Sequence, residues 1–154
     1  MEKLQIEVNK GMAMVAEMVK MKAFSEASGK AQAWWSSKMN HTLRKGKVSS
    51  FEEVDLPYLN TAIEKLGNQL SEFQIDYSKG RESIICQIRE LDKIVSMPYI
   101  YNNVLGKGRS WFKNRMPRDP LAGKAYYFSE EDILKINIAV IDIANRLKNI
   151  ELVM

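Results

Sequence analysis

The chain of 154 residues is poor in the residue types on which much enzyme chemistry and most secreted scaffolds depend. Its one cysteine, Cys86, excludes an intrachain disulfide and fits a reducing compartment. Within the apolar run Ile84-Ile85-Cys86, that thiol reads as a small buried hydrophobe. The one histidine, His41, has no partner for an acid–base relay, and no Cys/His cluster shows zinc spacing. Gly106-Lys107-Gly108 is too short to cradle a phosphate. Glu52-Glu53 and Glu130-Glu131-Asp132 read as helix starts rather than paired catalytic carboxylates. The expectation is a non-enzyme with no catalytic residue, metal, cofactor or small-molecule substrate.

Long apolar runs are also missing. Nothing approaches the roughly 20 consecutive apolar residues of a membrane span. The apolar stretch from Gly11 to Ala16 runs at once into Glu17, Lys20 and Lys22, unlike a signal peptide. A soluble, cytoplasmic protein without membrane contact is expected. Strand signals are absent as well, with no sustained apolar/polar alternation and no Asn-Gly turn, so the expected fold class is all-α.

What the chain does have is a repeat. Residues 23–75 align without a gap onto residues 100–152 at a constant offset of 77, with 13 identities in 53 pairs. Unrelated sequences would give roughly three. The identities include Gly29/Gly106, Lys30/Lys107, Trp34/Trp111, Phe51/Phe128, Asp55/Asp132, Asn60/Asn137 and Asn68/Asn145. The chain therefore reads as a tandem duplication, residues 1–77 and then 78–154, and each half serves as a comparison for the other.

Each half follows one order. An apolar-rich helix opens it, near residues 3–22 and 81–97, with Val8, Met14 and Met18 matched to Ile85, Leu91 and Val95. A short polar segment leads to Gly29 or Gly106, followed by a short helix with Trp34-Trp35 or Trp111-Phe112 and then a basic loop. Trp34 and Trp111 read as core anchors. The last segment is an amphipathic helix: Leu56, Leu59, Ile63, Leu66, Leu70 and Phe73 form one stripe, and Ile133, Ile136, Val140, Ile143, Leu147 and Ile150 repeat it. Ser50 with Glu53, and Ser129 with the acids after it, signal the two starts, and Pro57 fits only a first turn. Ile138 and Ile141 lie off the stripe, so burial on more than one side is expected there. The stretch from Asp76 to Gly80 is the expected junction, either a loop between two cores or a corner inside one.

Charge is segregated. Residues 30–47 hold Lys30, Lys38, Arg44, Lys45 and Lys47 with no acid, and residues 107–124 hold Lys107, Arg109, Lys113, Arg115, Arg118 and Lys124 against Asp119. Each window carries +5 in a chain of net charge +4, so the rest sums to −6. Two basic segments at matching places on an acidic body suit a polyanion partner.

The run Phe24-Ser-Glu-Ala-Ser-Gly29-Lys-Ala-Gln-Ala-Trp-Trp-Ser-Ser-Lys-Met resembles the helix-turn-helix of phage repressors and Cro-type regulators. Phe24, Gly29 and Trp35 take the places of the family's first-helix apolar residue, turn glycine and second-helix packing residue, and Tyr101, Gly106 and Phe112 take them again. Lys30 and Lys107 directly after the glycine depart from the family, where an apolar residue is usual. The resemblance implies that Lys30, Gln32 and Lys38, and Lys107, Arg109, Lys113, Asn114 and Arg115, meet the major groove. It further implies that His41, Arg44, Lys45, Lys47, Arg118 and Lys124 meet phosphates. The function expected is double-stranded DNA binding by a phage or mobile-element transcriptional regulator. Two alternatives stay open: a helical assembly or protein-interaction module that self-associates, and RNA or single-strand binding through the tryptophans.

Overall fold

The computed structural model describes residues 3–40, 43–44, 46–48, 50–117 and 126–154, without the side chains of residues 43, 44, 47 and 48. The protein is predominantly α-helical, and its buried side chains form one core drawn from both halves. Asp76–Gly80 is accordingly a corner inside that core; Asp76 caps the 3₁₀ turn Tyr77–Lys79 by accepting from Ser78 N at 3.0 Å.

The long helices are α4 (Leu56–Ser71) and α7 (Glu130–Asn149), which pack against each other. Both bury the apolar stripe read from the sequence, and Pro57 sits in the first turn of α4. At their contact Gly67 faces Ala144, its counterpart 77 residues on; a Cβ on Gly67 would lie 3.4 Å from the Ala144 carbonyl oxygen. Small residues there let the two backbones approach closely. Ser129 and Asp132 form the capping box expected for α7. Before α4 the box is Glu52 with Asp55, not Ser50 with Glu53, and it caps the 3₁₀ turn Glu53–Asp55 leading into the helix.

The opening segment of each half differs from expectation. Residues 3–22 are not one helix: β1 (Leu4–Glu7) precedes α1 (Val8–Met18), and α2 (Met21–Ser28) follows a break. Extended structure also occurs where none was expected. β1 pairs in parallel with β4 (Ile150–Val153) from Leu4↔Ile150 to Glu7↔Val153, and β2 (Leu43–Arg44) pairs antiparallel with β3 (Lys47–Val48). Both pairings are too short to show a period-2 signal, and the first joins segments from opposite ends of the described chain.

The first helices match at an offset of 76, not 77. Val8, Met12, Val15 and Val19 are buried, as are Ile84, Ile88, Leu91 and Val95 of α5 (Arg81–Asp92) and the residues just after it. Met14, paired with Leu91 at the larger offset, is 41% exposed. Val19 and Val95 meet in an antiparallel bridge, closed by Lys20 N→Ile94 O and Ser96 N→Met18 O, each 2.8 Å. The extra residue of the second half lies between Val95 and Ile100, because Val19 matches Val95 at 76 while Phe24 already matches Tyr101 at 77. A π-helix, Tyr99–Val104, stands where the first half has the α-helix α2. The segment expected to be a polar connection is helical in both halves for the same reason: Ala23 and Phe24, like Ile100 and Tyr101, are buried on one face. Cys86 is exposed, because α5 turns Ile84, Ile85 and Ile88 inward and leaves position 86 outside.

Candidate nucleic-acid interface

Each half presents a hairpin of two short helical segments. In the first, α2 ends at Gly29 with φ 76°, and α3 (Gln32–Met39) begins three residues later. In the second, the π-helix leads to Gly106 with φ 65°, and α6 is Arg109–Arg115. Left-handed backbone is cheap for glycine and costs other L-residues about 1–2 kcal/mol, so the identity at this position has a local cause.

Aromatic side chains hold each hairpin shut with matching geometry. Phe24–Trp35 and Tyr101–Phe112 centroids are 5.3 and 5.4 Å apart. Phe51 lies 6.0 Å from Trp35, and Phe128 lies 6.0 Å from Phe112. Trp35 is fully buried, and its indole N–H donates to Ser28 Oγ at 3.0 Å. Trp34 and Trp111 are only half-buried; each packs edge-on against the following phenylalanine, at 6.2 and 5.8 Å.

The outer faces of Trp34 and Trp111 account for two of the cation pairs shared by the halves, Lys30/Lys107 and Lys38/Arg115. Lys30 and Lys38 approach the Trp34 ring to 5.4 and 5.3 Å. Lys107 and Arg115, four residues either side of Trp111, approach its ring to 5.8 and 4.0 Å. Lys38 also pairs with Asp55 at 3.0 Å, with side-chain exposures of 15% and 9%, and Asp55 in turn accepts from Glu52 N at 2.8 Å. Arg115 donates to the backbone oxygens of Tyr127 and Trp111 at 3.1 and 3.0 Å. Lys38 and Arg115 are thus bound into the hairpins, which corrects the expectation that they lie open to base edges. On α3 and α6 the i+4 position puts Lys38 or Arg115 over the indole, while Lys30 and Lys107 reach it from just before the helix, and that structural use is sufficient to keep those charges in both halves.

Exposed on the second helices are Gln32 of α3 and Arg109, Lys113 and Asn114 of α6; Lys107 is exposed just before α6. Lys30 is half-buried, 4.3 Å from the Tyr58 ring. In the backbone of the β2–β3 hairpin, Arg44 stands opposite Lys47. The side chains of Arg44 and Lys47, and His41, Lys45, Arg118 and Lys124 altogether, lie outside the described residues.

The two halves are held by reciprocal contacts that sequence reading missed. Asn60 of α4 accepts from Leu152 N at 2.8 Å and donates to Leu152 O at 3.2 Å. Asn137 of α7 accepts from Ile75 N at 2.8 Å and donates to Ile75 O at 2.9 Å. Both the amides and the clamped residues differ by 77 in number, and each amide serves the other half. The identity of Asn60 and Asn137 on buried-face helices was the available signal. Among the described residues no group of three or more His, Cys, Asp or Glu side chains is placed to hold a metal ion, and none of the helices is long and apolar enough to cross a membrane.

A family model described as a domain of unknown function (DUF5053) matches residues 85–153, short of half of the chain. The matched span runs from within α5 through α6 and α7 to β4, so the chain is similar to that family across its second half. No curated protein and no solved structure matches the chain.

Proposed function

We propose that the halves 1–77 and 78–154 derive from one duplicated helix-turn-helix-like unit, and that the protein binds double-stranded DNA as a cytoplasmic regulator of a phage or mobile element. The observation that carries this reading is the hairpin itself: two short helical segments joined through a left-handed glycine, closed by matching aromatic contacts at positions 77 apart. A hairpin of this kind presents its second helix outward.

The two units are unequal on this reading. α6 carries the readers: Arg109 and Asn114 suit bidentate contacts to guanine and adenine edges, with Lys113 and Lys107 beside them. α3 fully exposes only Gln32 and Ala33, so its part is to position. To Arg44 and Lys47, opposite each other in the β2–β3 backbone pairing, this reading assigns phosphate contacts.

The test is a gel shift with a selected duplex site and with random duplex, each at two salt concentrations. Arg109→Ala is expected to weaken the selected site by about tenfold or more while changing random duplex little. Affinity for both should fall steeply with salt. Equal losses on both duplexes would reduce α6 to phosphate contacts, and no shift of any duplex at ~50 mM salt would overturn DNA binding. Preference for unstructured RNA or single strands, with tryptophan quenching, would move the function to that class.

A further inference from the structure

The outward face of α7 carries an apolar stripe that the core does not use. Leu134, Ile138 and Ile141 are 57%, 58% and 53% exposed, at spacings that align them along one side of the helix. This corrects the expectation that Ile138 and Ile141 are buried. Their counterparts on α4 are Pro57, Thr61 and Glu64, so the first half has no such stripe. Isolated exposed aliphatics are ordinary, whereas three in line on one helix mark an interaction surface.

The charges beside the stripe identify what covers it. Glu131, Lys135, Asp142 and Arg146 line one flank in the order minus, plus, minus, plus. Within the monomer they form two pairs, Lys135–Glu131 at 3.4 Å and Arg146–Asp142 at 3.0 Å, all at least half exposed. That order is complementary to itself only when reversed. Two α7 helices laid antiparallel about an axis near Ile138 bring Glu131 within one residue of register with Arg146, and Lys135 with Asp142, of the second copy. The same axis sets Leu134 against Ile141 and Ile138 against itself. Parallel pairing would set this flank against the other side of the second helix, so the two charge rows would not meet.

We infer that α7 is a self-association surface, which pairs antiparallel with α7 of a second copy of this chain through Leu134, Ile138 and Ile141. The arrangement is isologous: one patch meets itself, and each contact occurs twice. Covering the stripe removes on the order of 300 Å² per subunit, and the flanking charges bring the total near the ~1,000 Å² at which specific interfaces begin. A reversible dimer with a dissociation constant on the order of 10 µM is the expected strength. The inference does not rest on DNA binding, and its test contains no DNA.

Sedimentation of the full chain across a concentration series spanning about 1–200 µM should show a monomer–dimer equilibrium. Ile138→Asp places two carboxylates at the axis and should leave only monomer, with an unchanged circular dichroism spectrum and melting temperature because the side chain is exposed. Asp142→Lys alone should weaken the dimer about tenfold, and adding Lys135→Asp should restore it. In a Cys86→Ser background, Ile138→Cys should cross-link to itself on mild oxidation while Thr61→Cys on α4 does not. A wild-type chain that stays monomeric throughout would overturn the inference. So would a dimer indifferent to Ile138→Asp, or a charge swap that fails to restore pairing.

Discussion

Replacing Asn60 or Asn137 with alanine tests whether the reciprocal clamps hold the halves together. Each amide satisfies one backbone N–H and one backbone C=O, on Leu152 and Ile75 respectively, and both of those residues are nearly inaccessible to solvent. A buried donor or acceptor left unpaired costs about 1–3 kcal/mol, so losing both partners costs roughly 2–5 kcal/mol. Alanine recovers about 0.6 kcal/mol of helix propensity relative to asparagine. The net expectation is a loss of about 2–4 kcal/mol per clamp, set against a total stability of about 5–15 kcal/mol. Urea unfolding followed by circular dichroism should show each midpoint fall by about 1 M or more. Asn68 is the control: it too is identical to its counterpart, Asn145, but it is exposed on α4. Asn68→Ala should be neutral or stabilising by about 0.5 kcal/mol. Asn60→Ala or Asn137→Ala within about 0.5 kcal/mol of wild type, or Asn68→Ala costing as much as they do, would refute the clamp.

Four further substitutions test the packing and the Asp76 cap. Lys38→Met leaves the buried Asp55 carboxylate without its partner and should cost about 2–3 kcal/mol in chemical denaturation, while Arg115→Ala should lower the melting temperature without selectively weakening a preferred duplex. Gly11→Ala drives a methyl group into Leu152 Cδ2 in the core, so it should destabilise by about 1–3 kcal/mol in the same assay although alanine is the better helix former. Ser78 donates to Asp76 from its side chain and its backbone, which holds that carboxyl below its ordinary pKa; an NMR titration should find the midpoint low, and Ser78→Ala should raise it. Its folded pKa being depressed, this group favours the folded state above the unfolded pKa, and that contribution is lost as pH falls through the folded value.

Local patterns were legible in the sequence, and long-range pairings were not. The stripes of α4 and α7 follow from helical periodicity, and the Ser129–Asp132 box and Pro57 follow from end chemistry. The Glu52–Asp55 box was within reach too, because the offset of 77 maps Ser129 onto Glu52. By contrast, β1 and β4 pair across the whole chain, and the apolar/polar alternation of Leu4–Glu7 and of Ile150–Leu152 is too short to mark a strand without the partner. The one-residue step between Val95 and Ile100 is invisible to a gapless alignment that begins at residue 23, and it misaligned the helices upstream. For Ile138 and Ile141 the rule that apolar side chains go inside failed, since the side of α7 opposite the stripe is not covered within the monomer. Within the basic windows, charge counts could not separate cations stacked on Trp34 and Trp111 from cations open to a ligand.

The shared and unshared features divide the molecule by role. What both halves hold at equivalent positions serves contacts within the molecule: the turn glycines, the aromatic contacts, the cations over the tryptophans and the exchanged asparagine clamps. These bind the halves into a pair in which each completes the other, as two protomers do across an isologous interface. The outer surfaces differ: α6 exposes Arg109, Lys113 and Asn114 where α3 has exposed Gln32, half-buried Ser36 and buried Ser37, and α7 carries the stripe where α4 has Pro57, Thr61 and Glu64. On the proposed duplication, a covalently joined pair no longer has to keep both outer surfaces alike, because only the mutual contacts constrain both copies. The second half could then take on the exposed readers and the self-pairing face while the first kept the scaffold. A preferred duplex site should accordingly respond to substitutions on α6 far more than to Gln32→Ala on α3. Equal sensitivity, measured as the ratio of selected-site to random-duplex affinity, would mean that the two hairpins read alike and that the outer differences carry no division of labour.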